Sequence, residues 1–166
     1  MDPDGNEPNK SQVTTPKHLI KYLQTVKGAN ARERLAYVGT YETLGGAKPE
    51  KKRYIYTEKA GWIDLVHFFN VAKEIDASLI NRIAASIDGK DQLWQKTAEI
   101  ENGQAAVSKI GIGTAWSYED APSNYFGYIF WKDYYNPEGN LAVQMYQFLS
   151  DYGGSSPQNA PNWKNM

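Results

Sequence analysis

Two short stretches hold the side chains that could do chemistry. The first runs Gly61-Trp62-Ile63-Asp64 and reaches His67 three residues on. At helical spacing, Asp64 and His67 share one face. A carboxylate beside an imidazole can orient, accept or pass on a proton. His67 is one of only 2 histidines in the chain. The second stretch is Trp116 to Gly127 (WSYEDAPSNYFG), where Ser117, Glu119, Asp120, Ser123 and Asn124 crowd a turn bounded by Pro122. Apolar walls from Trp116 and Tyr118 would favour the protonated form of Glu119, as general-acid work requires. Each stretch alone also has a plainer reading. Asp64 can be a helix-start carboxylate with His67 incidental to it, and Ser117 can cap a helix whose first turn holds the acids.

Hydrolysis needs an acid and a base on opposite sides of one bond, so both stretches would have to meet in one pocket. In a glycosidase the two carboxyl groups stand about 5–5.5 Å apart for retention and about 6.5–9.5 Å apart for inversion. In that scheme Glu119 is the general acid, Asp64 the base or nucleophile, and His67 orients Asp64 or shares its proton, with Asp120 beside them. Trp62, Trp116, Ser117, Tyr118, Ser123 and Asn124 are the candidates for holding substrate. This scheme uses no cofactor. The alternative is a metal-dependent nuclease, in which Asp64, His67 and Asp120 hold a divalent ion that activates water. Lys51-Lys52-Arg53 would then touch phosphate. No H-E-x-x-H or His-Asn-His spacing supports it, and the plainer reading of Lys48, Lys51, Lys52 and Arg53 is a solvated loop.

The elements that must position these groups are legible from pattern. Tyr54-Ile55-Tyr56-Thr57 is aromatic and β-branched and reads as a strand. From Trp62 the period becomes helical, with Leu65, Phe68, Ala72, Ile75, Leu79 and Ile83 recurring at three or four. This predicts one central amphipathic helix from about Trp62 to Ile87, stopping at Asp88-Gly89. Thr15-Pro16 opens an earlier helix carrying Leu19, Ile20, Leu23 and Val26, with His18 as a surface residue in its first turn. Asn30 to Leu44 is ambiguous between helix and strand. Asp91 caps a helix with Leu93, Trp94, Ala98 and Ile100, and the glycines of Ile110 to Thr114 form a tight loop without a nucleotide-binding fingerprint. Tyr125 to Tyr135 is a very aromatic helix. Asn140 caps the last helix, built on Leu141, Met145, Phe148, Leu149 and Tyr152, which Gly153-Gly154 ends. The expected fold is mainly α, about five helices around the central one, with a small β element near residues 36–57. Residues 1–14 read as a linker, 15–154 as one globular domain, and 155–166 as a loose tail.

Composition narrows the function classes. The chain has 166 residues, a formal net charge of −1 and no cysteine. That excludes disulfides, thiolate nucleophiles and cysteine-ligated zinc, and weakens a purely nucleic-acid-binding reading. With 12 Tyr, 5 Trp and 5 Phe, aromatic residues are plentiful enough to line a groove that stacks sugar rings as well as a core. No apolar run approaches a membrane span, and the N-terminus lacks a signal-peptide core.

Asp2-Pro3-Asp4-Gly5-Asn6 resembles the segment that closes the shell of Rhs-type polymorphic toxins, in its Bacteroidota form, where a variable toxin domain follows directly. Gly61-Trp62-Ile63-Asp64 with His67, and Ser117-Tyr118-Glu119-Asp120 with Pro122-Ser123-Asn124, resemble a motif pair in bacterial domains of unknown function. The resemblance implies a toxin or effector domain used in interbacterial competition. It implies an Rhs-like carrier, delivery into a target cell by a dedicated machine such as type VI secretion, and a cognate immunity protein. The leading expectation is a hydrolase acting on a cell-envelope glycan, peptidoglycan being the natural antibacterial target. A nuclease is the main alternative and an ADP-ribosyltransferase a weak third. The non-enzymatic alternative is an adaptor that uses the aromatic helix 125–135 as its partner surface.

Overall fold

The computed structural model describes residues 10–38, 52–87 and 120–166. The described residues are mainly helical with a small sheet, as the pattern predicted. The helices are α1 (Pro16–Thr25), α2 (Ala31–Tyr37), α3 (Leu65–Asp76), α4 (Leu79–Ile87), α5 (Asp120–Ile129) and α6 (Leu141–Tyr152). Local chemistry explains their starts. The side chains of Thr15, Asn30 and Asn140 accept the backbone N–H of His18, Glu33 and Val143. Gly153, at φ +71°, ends α6 in the left-handed conformation that glycine adopts most readily. None of the described helices is long and apolar enough to cross a membrane.

The sheet is assembled from four places in the chain: β1 (Val13–Thr14), β2 (Tyr54–Thr57), β3 (Gly61–Asp64) and β4 (Gly154–Ser155). β2 is its axis. Antiparallel β3 covers one edge, while parallel β1 and antiparallel β4 share the other. Behind it, α3 is the central helix and packs most extensively on α5. Phe68 of α3 lies at the centre, its ring 5.0–5.4 Å from those of Phe69, Phe130 and Phe148. Gly127 of α5 makes this crossing possible, because a Cβ there would stand 2.3 Å from the Phe68 carbonyl oxygen.

Several expectations are corrected. The central helix starts at Leu65, because Trp62 and Ile63 pair with Tyr56 and Ile55 as a hairpin strand. It breaks after Asp76, and Ser78 Oγ accepts the Asn81 N–H to open α4. Residues 10–14 belong to the fold and not to a linker. Val13 and Thr14 pair with β2, and the Ser11 and Gln12 carbonyls accept from Lys52 Nζ and the Arg53 N–H. The tail is packed, not loose: β4 joins the sheet, Pro157 and Ala160 are buried, and Lys10 lies over the Trp163 ring. The aromatic run after Tyr125 is largely core, with Tyr128, Ile129 and Phe130 at most 4% exposed, while Lys132 and Asp133 on the following turn are exposed. The helix expected from Asp91, the glycine loop 110–114 and the stop at Asp88-Gly89 lie outside the described residues, as do residues 1–9 and 39–51.

Candidate functional site

The first stretch is built by the β2–β3 hairpin. Thr57 Oγ1 donates to the Gly61 carbonyl and accepts the Ala60 N–H, both at 3.0 Å, which closes the turn. The register then opposes Tyr54 to Asp64 and sets Arg53 diagonally beside that carboxylate. Arg53 Nε donates to Asp64 Oδ1 at 3.1 Å and Nη2 to Oδ2 at 2.5 Å. Asp64 also ends the strand and caps α3, Oδ1 accepting the Val66 N–H at 3.0 Å. One turn on, His67 Nε2 stands 3.8 Å from Oδ2. That is too long for a hydrogen bond, although the two groups stand within ion-pair distance. Asp64 is 2% exposed, so its oxygens face protein, whereas the His67 side chain keeps 16% of its surface in solvent.

The second stretch arrives on α5. Its Ser123 is fully buried and its Oγ accepts the backbone N–H of Asp64 at 2.9 Å. This single bond joins segments 59 positions apart in the chain. Asn124, 2% exposed, is buried beside it in sequence. Neither residue presents its side chain to solvent. Outside this junction lies a cavity of about 390 Å³ whose walls include Tyr56, Trp62, Pro122 and Pro161. Trp62 is held there from two sides. Its Nε1 donates to Asn162 Oδ1 at 3.0 Å, and its ring meets that of Tyr56 edge-on, with centroids 5.4 Å apart.

Trp62, Asp64, His67 and Ser123 are therefore drawn to one junction, and Asn124 follows Ser123 on α5. Asp120 begins α5. Trp116, Ser117, Tyr118 and Glu119 lie outside the described residues. Sequence reasoning missed Arg53, which it placed in a solvated basic loop, and Tyr56, Pro161 and Asn162, which complete the cavity. The signal for Arg53 was present: YIYT and GWID are two strand-like runs separated by Glu58-Lys59-Ala60, a hairpin spacing. Nothing local points to Asn162, which lies 100 positions beyond Trp62.

A second polar cluster surrounds Asp76, at the end of α3. Arg32 grips this carboxylate with Nε and Nη2, each at 3.0 Å. Tyr135 Oη donates to Oδ2 at 2.7 Å, and Trp131 Nε1 approaches Oδ1 at 3.4 Å. The aromatic pair comes from the end of α5, where Phe130–Tyr134 widens into a π-helical turn. Burial alone would raise the Asp76 pKa; the donors from Arg32, Tyr135 and Trp131 outweigh it and hold the carboxyl below its ordinary range. Burial and the neighbouring Asp76 push the Tyr135 hydroxyl pKa well up, so it stays a donor.

No protein-family model, curated protein or solved structure matches the chain.

Proposed function

We propose that this chain is a toxin-type hydrolase domain directed at a cell-envelope glycan, with His67 as its proton-transfer group. The observation that carries this reading is the junction of the two polar stretches. The Asp64 N–H rests on Ser123 Oγ, and Trp62 of one stretch and Pro122 of the other wall the same cavity. A tethered tryptophan beside prolines is a surface on which a sugar ring can stack. The roles differ from the simplest two-carboxylate scheme. Asp64 accepts from Arg53 twice and from Val66, which leaves it poorly suited to attacking substrate and places it beside His67 as a fixed charge. His67, partly open to solvent, takes the proton of an attacking water. Glu119, which directly precedes α5 in the chain, gives one to the leaving oxygen.

The metal-nuclease alternative is less favoured because the Arg53 guanidinium already occupies both Asp64 oxygens, where a divalent ion would have to bind. Lys52, offered as a phosphate contact, donates to the Ser11 carbonyl. An Rhs-like carrier and a cognate immunity protein belong to the proposal through the resemblance at Asp2 to Asn6.

The test is expression in a bacterial host, with and without a periplasmic export signal, alongside digestion of purified peptidoglycan. Growth arrest is expected only on export. His67→Ala and Glu119→Gln should each abolish it while melting as the parent does. Chelator-sensitive killing in the cytoplasm would replace this reading with the nuclease, and undiminished killing by His67→Ala would end it.

A further inference from the structure

A separate cavity of about 350 Å³ lies where α2, α3 and the start of α4 meet, within the size range of ligand pockets. Its walls carry Arg32, Lys73 and Arg82, with Glu74 and Asp76, over an apolar patch that includes Leu35. The opposite charges are not matched one to one. Both Asp76 oxygens are taken, by Arg32 and by the donors from Tyr135 and Trp131. That carboxylate therefore acts as a clamp on Arg32. The clamp uses Nε and Nη2, leaves Nη1 out of the pairing, and keeps the Arg32 side chain 41% exposed. Among the described residues, the side chains of Lys73 and Arg82 make no hydrogen bond or ion pair, and Glu74 is the one remaining carboxylate on the wall.

We propose that this cavity binds a small phosphate-bearing ligand, with the phosphate seated between Arg32, Lys73 and Arg82. The inference is independent of the glycan reading above. A clamped guanidinium is a fixed, planar fork of donors, the geometry that suits phosphate oxygens, and little freedom is left for it to lose on binding. Lys73 adds a point charge from a wall that is partly dry. Burial lowers its pKa and only Glu74 opposes that, so an anion in the cavity would restore what the ammonium has lost in hydration. Three cations against two carboxylates leave the wall with an excess of one positive charge, which an anion such as a terminal phosphate would offset. The π-helical turn behind Asp76 supplies Trp131, and Tyr135 directly follows it; such turns recur at functional sites. A nucleic-acid backbone is a poorer fit. The chain has a net charge of −1, and phosphate tracking needs a basic excess.

The experiment titrates inorganic pyrophosphate into the full chain at constant ionic strength, reading amide shifts and the Lys73 side-chain pKa by NMR. Saturable binding is expected, centred on α2 to α4, with the Lys73 pKa moving up. The Lys73→Ala/Arg82→Ala variant, which leaves the Arg32–Asp76 clamp intact, should bind about tenfold more weakly or worse, as loss of charge-assisted contacts implies. Absence of saturable binding overturns the proposal. So does an unmoved Lys73 pKa in the parent protein, a readout that survives if the double variant fails to fold. Binding of a single-stranded oligothymidine without a terminal phosphate, in the absence of pyrophosphate binding, would overturn it in favour of a backbone-binding surface.

Discussion

Arg53→Met should destabilise the fold far more than loss of a surface charge does. The Arg53 and Asp64 side chains are 14% and 3% exposed, so the pair belongs with buried ion pairs and not with the exposed ones worth about 0–1 kcal/mol. Removing one partner leaves the Asp64 carboxylate inside the protein with the Val66 N–H and the distant His67 imidazole. Breaking a buried pair this way costs about 3–5 kcal/mol. That is a large part of the roughly 5–15 kcal/mol that holds a domain together. For a chain of this length each kcal/mol moves Tm by about 2–4 °C, so the expected drop is about 6–20 °C. Thermal and urea unfolding followed by far-UV circular dichroism would measure it. The second arm is Arg53→Met/Asp64→Asn. An amide at position 64 can still accept the Val66 N–H and carries no charge to strand. The double variant should therefore be more stable than Arg53→Met alone, with a coupling that reports the pair. A Tm change under about 2 °C for Arg53→Met, or a double variant equal to the sum of the singles, would refute the reasoning that Arg53 holds Asp64 and, through it, His67.

Three further outcomes follow from the geometry. Gly127→Ala places a Cβ 2.3 Å from the Phe68 carbonyl, so α5 must shift on α3; a loss of about 1–3 kcal/mol or more in urea unfolding is expected, and a neutral result would show that the crossing is looser than described. Asp76 is ionised more readily in the fold than the ordinary carboxyl near 3.9. Its contribution is thus present above about pH 4 and lost as pH falls through its lowered folded value, and in Arg32→Ala the acid-side fall in the urea midpoint should be shallower. Truncation after Gly153 removes β4, the buried Pro157 and Ala160, and the Asn162 acceptor of Trp62. It should lower Tm by several degrees, as should truncation to Thr15, which removes β1; an unchanged Tm for either would restore the loose-tail or linker reading for that end.

What the sequence determined by itself is local. The caps at Thr15 and Asn140, the stop at Gly153, the strand Tyr54–Thr57 and the mainly helical class follow from side chains a few positions apart, and the structure has each of them. Asp64 and His67 were legible for the same reason, as neighbours one helical turn apart. Tertiary structure alone decided what each candidate can do. Asp64, legible as a helix-start carboxylate, has both oxygens held by Arg53 because hairpin register brings that guanidinium to it. Ser123 turns from a substrate contact into a buried acceptor because α5 crosses α3 at Gly127. The Arg32–Asp76 pair spans 44 positions and the Trp62–Asn162 contact 100. Propensity and periodicity act over one or two turns of chain, whereas these partners are selected by the register of a sheet edge and the depth of a helix crossing, quantities that exist only once distant segments have packed.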